Sequence, residues 1–548
     1  FRYPPPTAEK SELNRNPERN FQLTHGLALE IFSLSLSLKQ VILQMALIPI
    51  IIRRLYAGRL NQIDDFRKNP VDVQQKVLSD LLAFASSTDL GRRYGFSSIS
   101  SAAAFQSRVP LSSYEDYLPL VERMRAGEDN VTWPGSIRWF AKSSGTTSSK
   151  SKFIPVSRES LYKCHFQAAK DVLTIYCSNY PSTRMFSGKA LTLGGSTRIN
   201  QAGNNSVYGD LSAVLLSNSP FYAELIRTPK REIALIEDFE KKLELITRIA
   251  SKQNVTSLSG VPSWYLTLIK SVLAYTGKSS LLDVWPNLEV FFHGGISFTP
   301  YREIYKKLIP GDQMHYMETY NASEGFFGIQ DDPGKSDMLL MLDYGIFYEF
   351  IPAGAVGSDS APALTLGEVK KDVNYAIVIS TNGGLWRYLI GDTVVFTETN
   401  PFRFRISGRT KHFINAFGEE LIAENAEKAL ENACRETGAS ILEYTAGPVF
   451  MGESSRGTHE WLIEFEKEPD ELQKFTRILD DTLKSINSDY EAKRYKDINL
   501  VMPLVKSVPT GTFTRWLKSR NKLGGQNKVP RLSNTREFIE ELYGFLVT

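Results

Sequence analysis

Cysteine is scarce and poorly placed for chemistry. Cys164, Cys177 and Cys434 are the three in a chain of 548 residues. They are odd in number, far apart and without a C-x-x-C pair, which excludes a disulfide framework or a zinc site of ordinary spacing and points to a reducing, cytoplasmic setting. An excess of charge is lacking too: 64 Lys and Arg against 61 Asp and Glu leave +3, too little for a protein that binds a nucleic-acid backbone. No apolar run is long enough for a membrane span. Between 27 and 52 the hydrophobic stretch is broken by Glu30, Lys39, Gln40 and Gln44, and the clean run over 45–52 falls far short of the roughly 20 residues required. This segment reads as an amphipathic helix, either packed on the body or, closed by Arg53 and Arg54, lying in a membrane interface. The first Met is Met45, after a Pro-rich polar opening, so residues 1–44 are expected to be a non-native or flexible extension. Repeats and low-complexity tracts are absent, and six His form no H-x-x-x-H or Ser-His-Asp arrangement.

What is present points to a globular protein of more than one domain. Hydrophobic residues make up 42% and charged residues 23% of the chain, and domains typically hold about 100–200 residues. Core-like spacing of Val71, Val77, Leu81, Leu82 and Phe84 predicts helix from 69 to about 94. Helices over 159–176, 236–250, 264–274 and 300–308 then alternate with short apolar runs: FAKSSGTT, ALTLGG, VTSLSG, LEVFFHGG and MHYMETYNASEG. Each run ends in small hydrogen-bonding residues, as strands do where α/β proteins place ligands. After about 400 the pattern changes. FINAFGEEL, a helix over 423–436, strands in ILEYTAGPVFM and EWLIEFE, a helix over 470–486 and a strand in INLVMPLVK read as β-α-β-β-α-β, the split ferredoxin-like order. The expected fold class is therefore α/β: a large composite amino-terminal domain, 45–405, with β-sheets flanked by helices, and a small ferredoxin-like α+β carboxy-terminal domain, 406–548. Chemistry is expected in the cleft between them.

The segment from Lys142 to Pro155, KSSGTTSSKSKFIP, gathers hydroxyls, a flexible Gly145 and the ammonium groups of Lys142, Lys150 and Lys152. Hydroxyl and backbone N–H donors wrap phosphate oxygens while Lys neutralises their charge. It does not match G-x-x-x-x-G-K-[ST], and by composition alone it reads as a solvated linker. Three later segments change that balance. Tyr320-Asn321-Ala322-Ser323-Glu324-Gly325 places an aromatic ring for a base and a carboxylate for a hard cation at the end of a strand. Trp386-Arg387-Tyr388-Leu389-Ile390-Gly391-Asp392 is a strand expected to end in Gly-Asp, its carboxylate set to accept from ribose hydroxyls. Ser407-Gly408-Arg409-Thr410-Lys411 precedes the small domain, where Arg409 is placed to reach a phosphate or ribose.

In this order, and from about residue 45 to the end, these segments resemble the adenylate-forming superfamily, most closely the auxin-responsive family of acyl-acid amido synthetases and its bacterial members. GTFTRWLKSRNKLGGQNKVPR is similar to the carboxy-terminal motif that supplies a mobile Lys. The resemblance implies a two-step ligase using ATP and Mg²⁺. A carboxylic acid attacks the α-phosphate to give an acyl-adenylate and pyrophosphate, and an amine, most naturally that of an amino acid, then takes the acyl group and releases AMP. It implies a phosphate loop of Ser143, Ser144, Gly145, Thr146, Thr147 and Lys152, with Thr146 also catalytic. It implies an adenine border of Gly294, Gly295, Tyr320, Asn321, Ala322 and Ser323, metal binding by Glu324, ribose binding by Asp392, a hinge contact from Arg409, and Lys528 as the mobile catalytic Lys of a moving carboxy-terminal lid. Lys518 and Lys522 lie near Lys528. Two departures stand out: Ser148 and Ser149 occupy loop positions where related loops carry Gly, and Leu389 stands where the Tyr-Arg-x-Gly-Asp pattern has Arg. Strand alternation puts Arg387 on the face of Leu389, so Arg387 is expected to serve in part.

His165 and His315 read as structural. His293, beside Gly294, is a substrate candidate. In SGVPSWYL, Val261 and Trp264 are expected to form an apolar wall of the acyl pocket, with helix-to-core packing as the other reading. Two other functions remain open: an acyl-CoA synthetase-like enzyme with a thiol acceptor, and a nucleotide-binding module without catalysis.

Overall fold

The computed structural model describes residues 54, 57–143, 152–193, 197–199, 206–221, 223–236, 238–296, 298, 301–357, 362–409, 413–452, 456–497, 499–520 and 529–546. Its centre is a twelve-stranded sheet. One half is parallel and built by crossover: strand Val255–Gly260, helix Pro262–Thr276, strand Val290–Gly294, helix Arg302–Leu308 and strand His315–Ala322 follow in chain order. The helix Pro262–Thr276 starts with Pro in its first turn and stops at Gly277 in the left-handed region, as Pro and Gly favour at those two ends. The other half is antiparallel, from Gly325–Ile329 through Met338–Leu340, Phe402–Arg409, Tyr388–Thr399, Asn374–Thr381 and Ile346–Pro352. A separate four-stranded sheet carries the hairpin of Trp139–Ser143 and Lys152–Val156, with Ser143 opposite Lys152. The architecture is thus the expected mixed α/β, with a large amino-terminal part and a smaller carboxy-terminal one.

Three local expectations are corrected. The helix over 69–94 is two helices, Pro70–Ala85 and Asp89–Tyr94, because the Thr88 side chain caps the second by accepting the Gly91 N–H at 3.0 Å. The strand expected to end at Asp392 runs on to Thr399. Its register against Asn374–Thr381 slips between the Val378/Leu389 and Ala376/Thr393 pairs, and Gly391 at φ 92° lets the bulge form. In the carboxy-terminal part the sheet has three strands, Ser440–Val449, Thr458–Lys467 and Leu504–Val508, with helix Ala423–Thr437 before the first and helix Leu472–Ile486 between the second and third. FINAFGEEL does not supply a fourth strand. It folds on itself as the ribbon Phe413–Ile414 with Leu421–Ile422, because Gly418 and Glu420 both take positive φ and Asn415 Oδ1 accepts the Glu420 N–H.

One apolar cluster runs from Leu191, Phe291 and Tyr305 to Phe417, Trp461 and Leu532, so the amino- and carboxy-terminal parts share core. Polar ties reinforce it: the Tyr301 hydroxyl donates to Ala416 O at 2.6 Å and Lys270 Nζ to Gly452 O at 3.0 Å. Among the described residues no helix is long and apolar enough to cross a membrane.

Candidate active site

The carboxyl ends of the parallel strands bring the expected residues together. Gly294 ends one strand opposite Thr319, and a Cβ there would lie 2.2 Å from the Thr319 carbonyl oxygen, so only glycine fits. Gly295 follows at φ 83°, and a Cβ on it would meet Val261 Cγ2 at 3.3 Å, which puts Val261 against the Gly-Gly turn. On His315–Ala322, Tyr320 is buried against Phe327 and its hydroxyl donates to Asp392 Oδ2 across 72 residues of sequence. Asn321, next in the strand, is held by buried His165, whose Nδ1–H donates to the Asn321 Oδ1 at 3.1 Å. Burial pushes the His165 imidazole down to about 4, against the pull of that hydrogen bond, so it is neutral near pH 7. Ala322 pairs with Gly325, leaving Ser323 and Glu324 as the turn between strands. The bulge at Gly391 aims Asp392 at Tyr320, and Arg409 is the backbone partner of Asp392.

Lys152 begins the second strand of the hairpin, opposite Ser143. It is 6% exposed, and its ammonium lies 5.6 Å from the centroid of the Tyr114 ring, whose hydroxyl accepts the Phe153 N–H at 2.8 Å. Ser144, Gly145, Thr146, Thr147 and Lys528 lie outside the described residues, as do the side chains of Ser143 and Arg409.

His293 and Glu318 are cross-strand neighbours in the parallel pair and share a face with Tyr320. The His293 ring stacks on Phe298 at 4.3 Å, its Nδ1 has no partner among the described residues, and burial, then the Arg302 charge, pushes it down to about 3. Burial raises the Glu318 carboxyl, while Arg302 and Arg405 pull it down. Glu318 was not singled out from sequence. Its position two residues before Tyr320 on one strand face was the available signal.

Residues 59–314, 339–409 and 424–537 match, in turn, the GH3 family N-terminal, central and C-terminal domains. The chain belongs to the GH3 family. It is 23% identical over 547 residues to indole-3-acetic acid-amido synthetase GH3.4 of Arabidopsis thaliana, covering 86% of this chain and 91% of that protein. It is 21% identical to 4-substituted benzoates-glutamate ligase GH3.12 of the same plant, over 88% of this chain and 96% of that one. In structure it is similar to AtGH3.15 acyl acid amido synthetase in complex with 2,4-DB, with a TM-score of 0.57 and 19% identity, covering 89% and 96% of the two chains. It is also similar to 2-hydroxyisobutyryl-CoA ligase, with a TM-score of 0.54 and 14% identity over 88% and 92%.

One residue of this GH3 chain stands elsewhere than expected. Arg387 cannot replace the missing Arg at position 389. It precedes the strand with φ 43°, is 6% exposed, and its guanidinium forms a forked pair with Glu349 at 2.9–3.1 Å while donating to Gln106 O and Val109 O. Trp264 faces the carboxy-terminal part, with the Lys493 ammonium 3.9 Å from its ring centroid. For a cation, Glu324 offers one carboxylate at a turn, and no group of three or more His, Cys, Asp or Glu among the described residues would cage an ion. That donor set fits Mg²⁺ carried by phosphates, which needs only one or two protein carboxylates.

Proposed function

We propose that this protein activates a small carboxylic acid with ATP and passes the acyl group to the amine of an amino acid, through the residues gathered at the strand ends. The observation that carries the residue assignment is the convergence of the Tyr320–Asp392 pair, the Gly294-Gly295 turn and the Glu324 turn in a GH3 chain. Asp392, oriented by Tyr320, accepts from the ribose hydroxyls. The bare backbone at Gly294 and Gly295 lets the purine approach, with Glu318 and neutral His293 on the adjoining face. Lys152 and the hydroxyls of 143–147 hold phosphate oxygens. Mg²⁺, when bound, spreads the negative charge of the phosphates, and Glu324 is its protein ligand.

Charge grows on phosphoryl oxygens during adenylation, so aligned donors and cations lower the barrier without a nucleophilic side chain. The acid's carboxylate oxygen bonds to the α-phosphorus as pyrophosphate leaves. The acceptor nitrogen then bonds to the acyl carbon as AMP leaves and the amine loses a proton. Lys528 approaches the α-phosphate in the first step, and the carboxy-terminal part, 406–548, moves between steps. That none of Cys164, Cys177 and Cys434 is in a disulfide among the described residues supports a cytoplasmic location.

A carboxylic-acid panel in ATP–pyrophosphate exchange, followed by mass spectrometry of products formed with amino acids or coenzyme A, tests this reading. Exchange and an amide are expected, with exchange reduced tenfold or more in Glu324→Ala and Asp392→Ala, the scale of losing one charged hydrogen bond. Unchanged exchange in both variants overturns the residue assignment, and a thioester in place of an amide overturns the acceptor.

A further inference from the structure

Two irregular pieces of backbone meet beneath the YNASEG turn. The first is Ser160–His165, a π-turn, wider than an α-turn and a rare geometry found frequently at functional sites. Only Ser157, Arg158 and Glu159 separate it from the hairpin strand Lys152–Val156. Ser157 fixes its start, accepting the Ser160 N–H at 2.9 Å and donating to Asn382 O at 2.5 Å. The second is a bulge at Phe327, between the Phe326/Asn321 and Gly328/Tyr320 pairs of the hairpin that carries the turn. A bulge interrupts the ladder, and the Phe326 N–H goes to Cys164 Sγ at 3.3 Å. His165, next in the π-turn, holds Asn321, the ladder partner of Phe326. Both strands are thus gripped at one rung, next to the Ala322/Gly325 pair from which Ser323 and Glu324 turn. Cys164 and His165 are buried while Tyr162 and Lys163 before them are exposed, so water does not stand in for either bond.

Core packing alone calls for neither irregularity, since an unbroken helix and an unbulged ladder pair their own backbone groups. Their meeting has a second consequence. The Lys152 hairpin lies in the four-stranded sheet and the YNASEG turn in the twelve-stranded one, so no strand ladder fixes one to the other.

We propose that this π-turn is the strut that sets the YNASEG turn at a fixed distance from the Lys152 hairpin, with Cys164 and His165 as positioning residues of the adenylation step. This rests on the adenylation reading above, in which the hairpin holds phosphate and the turn borders the nucleotide. Misplacing a reacting group by about 1 Å costs on the order of a hundredfold in rate, so a strut of this kind acts on the chemical step more than on binding.

The test compares matched variants of the full chain, Cys164→Ser against Cys164→Ala and His165→Gln against His165→Leu, by ATP–pyrophosphate exchange and by urea unfolding. The first of each pair keeps an acceptor for the Phe326 N–H or a donor for the Asn321 side-chain oxygen; the second keeps neither. Exchange kcat is expected to fall about tenfold or more in Cys164→Ala and His165→Leu and to stay within about threefold of the wild type in Cys164→Ser and His165→Gln. KM for ATP and for the acid should change by less than about threefold throughout, as when alignment rather than contact is lost. Wild-type kcat in Cys164→Ala and His165→Leu overturns the inference, and so does a loss that follows the urea midpoint instead of the retained hydrogen bond. If one pair does not fold, the other decides by the same criterion. If the wild type catalyses exchange and all four variants match it, only this inference falls. If the wild type catalyses none with any acid, the adenylation reading falls and takes this inference with it.

Discussion

Replacing Arg387 with Met should destabilise the protein strongly while leaving nucleotide binding intact. Glu349 is 0% exposed, and among the described residues Arg387 supplies three of its hydrogen bonds and Gln106 Nε2 a fourth at 3.0 Å. Arg387→Met therefore strands a buried carboxylate, at a cost of about 3–5 kcal/mol. The carbonyls of Gln106 and Val109 lose a donor each, but carbonyl oxygens tolerate under-satisfaction better than a carboxylate does. Removing both partners in Arg387→Met/Glu349→Met takes the stranded charge away, so the double variant should regain about 2–3 kcal/mol relative to Arg387→Met. Urea unfolding of the wild type, both single variants and the double variant gives the coupling energy, and ATP binding to the double variant gives the functional answer. Additive single effects would refute the buried-pair account. A restored fold with ATP affinity lost tenfold or more would show that Arg387 reaches the nucleotide after all.

Three further outcomes are expected. Gly294→Ala forces a Cβ onto the Thr319 carbonyl and should cost about 1–3 kcal/mol in urea unfolding; an unchanged midpoint would mean the strands move apart freely. Tyr320→Phe removes the donor that orients Asp392 and should weaken ATP binding by about three- to tenfold in calorimetry, with the KM for the acid unchanged; equal weakening for both substrates would point to general disorder of the site. His165 and His293 have folded values near 4 and 3, below the ordinary imidazole value, so the unfolded chain takes up protons first as pH falls. Their contribution is intact above about 6.5 and is lost towards 4 and then 3, with roughly 2 kcal/mol per imidazole gone at pH 5. A urea midpoint that is flat from pH 7 to 5 would contradict this.

Alternation of helices with strands ending in Gly, Ser or Thr was legible because period and strand-end chemistry are local properties of a dozen residues or fewer. That reading placed Gly294 and the YNASEG turn at strand ends, where the structure has them, and the family resemblance is borne out by the GH3 domain matches. Local patterns also misled. YLIGD looked like the end of a strand because Gly-Asp usually terminates one, whereas TVVFTET after it is alternating and β-branched and continues the ladder past a bulge. FINAFGEEL has the composition of a strand, but two positive-φ residues turn it into a ribbon.

The sequence by itself determined the fold class and the set of motifs, since both follow from periodicity and from residue types that recur at short range. Only the tertiary structure decided who meets whom. Tyr320 finds Asp392 at a separation of 72 residues, and Arg387 is drawn to Glu349 at a separation of 38. Trp264 lies under Lys493 of the carboxy-terminal part, and the Tyr388 hydroxyl has no partner among the described residues beside a satisfied Tyr117. Such pairings depend on sheet order, register and burial. In a low-dielectric interior, a charge or hydroxyl gains or loses several kcal/mol by the presence of one partner, and no local pattern encodes that partner's position.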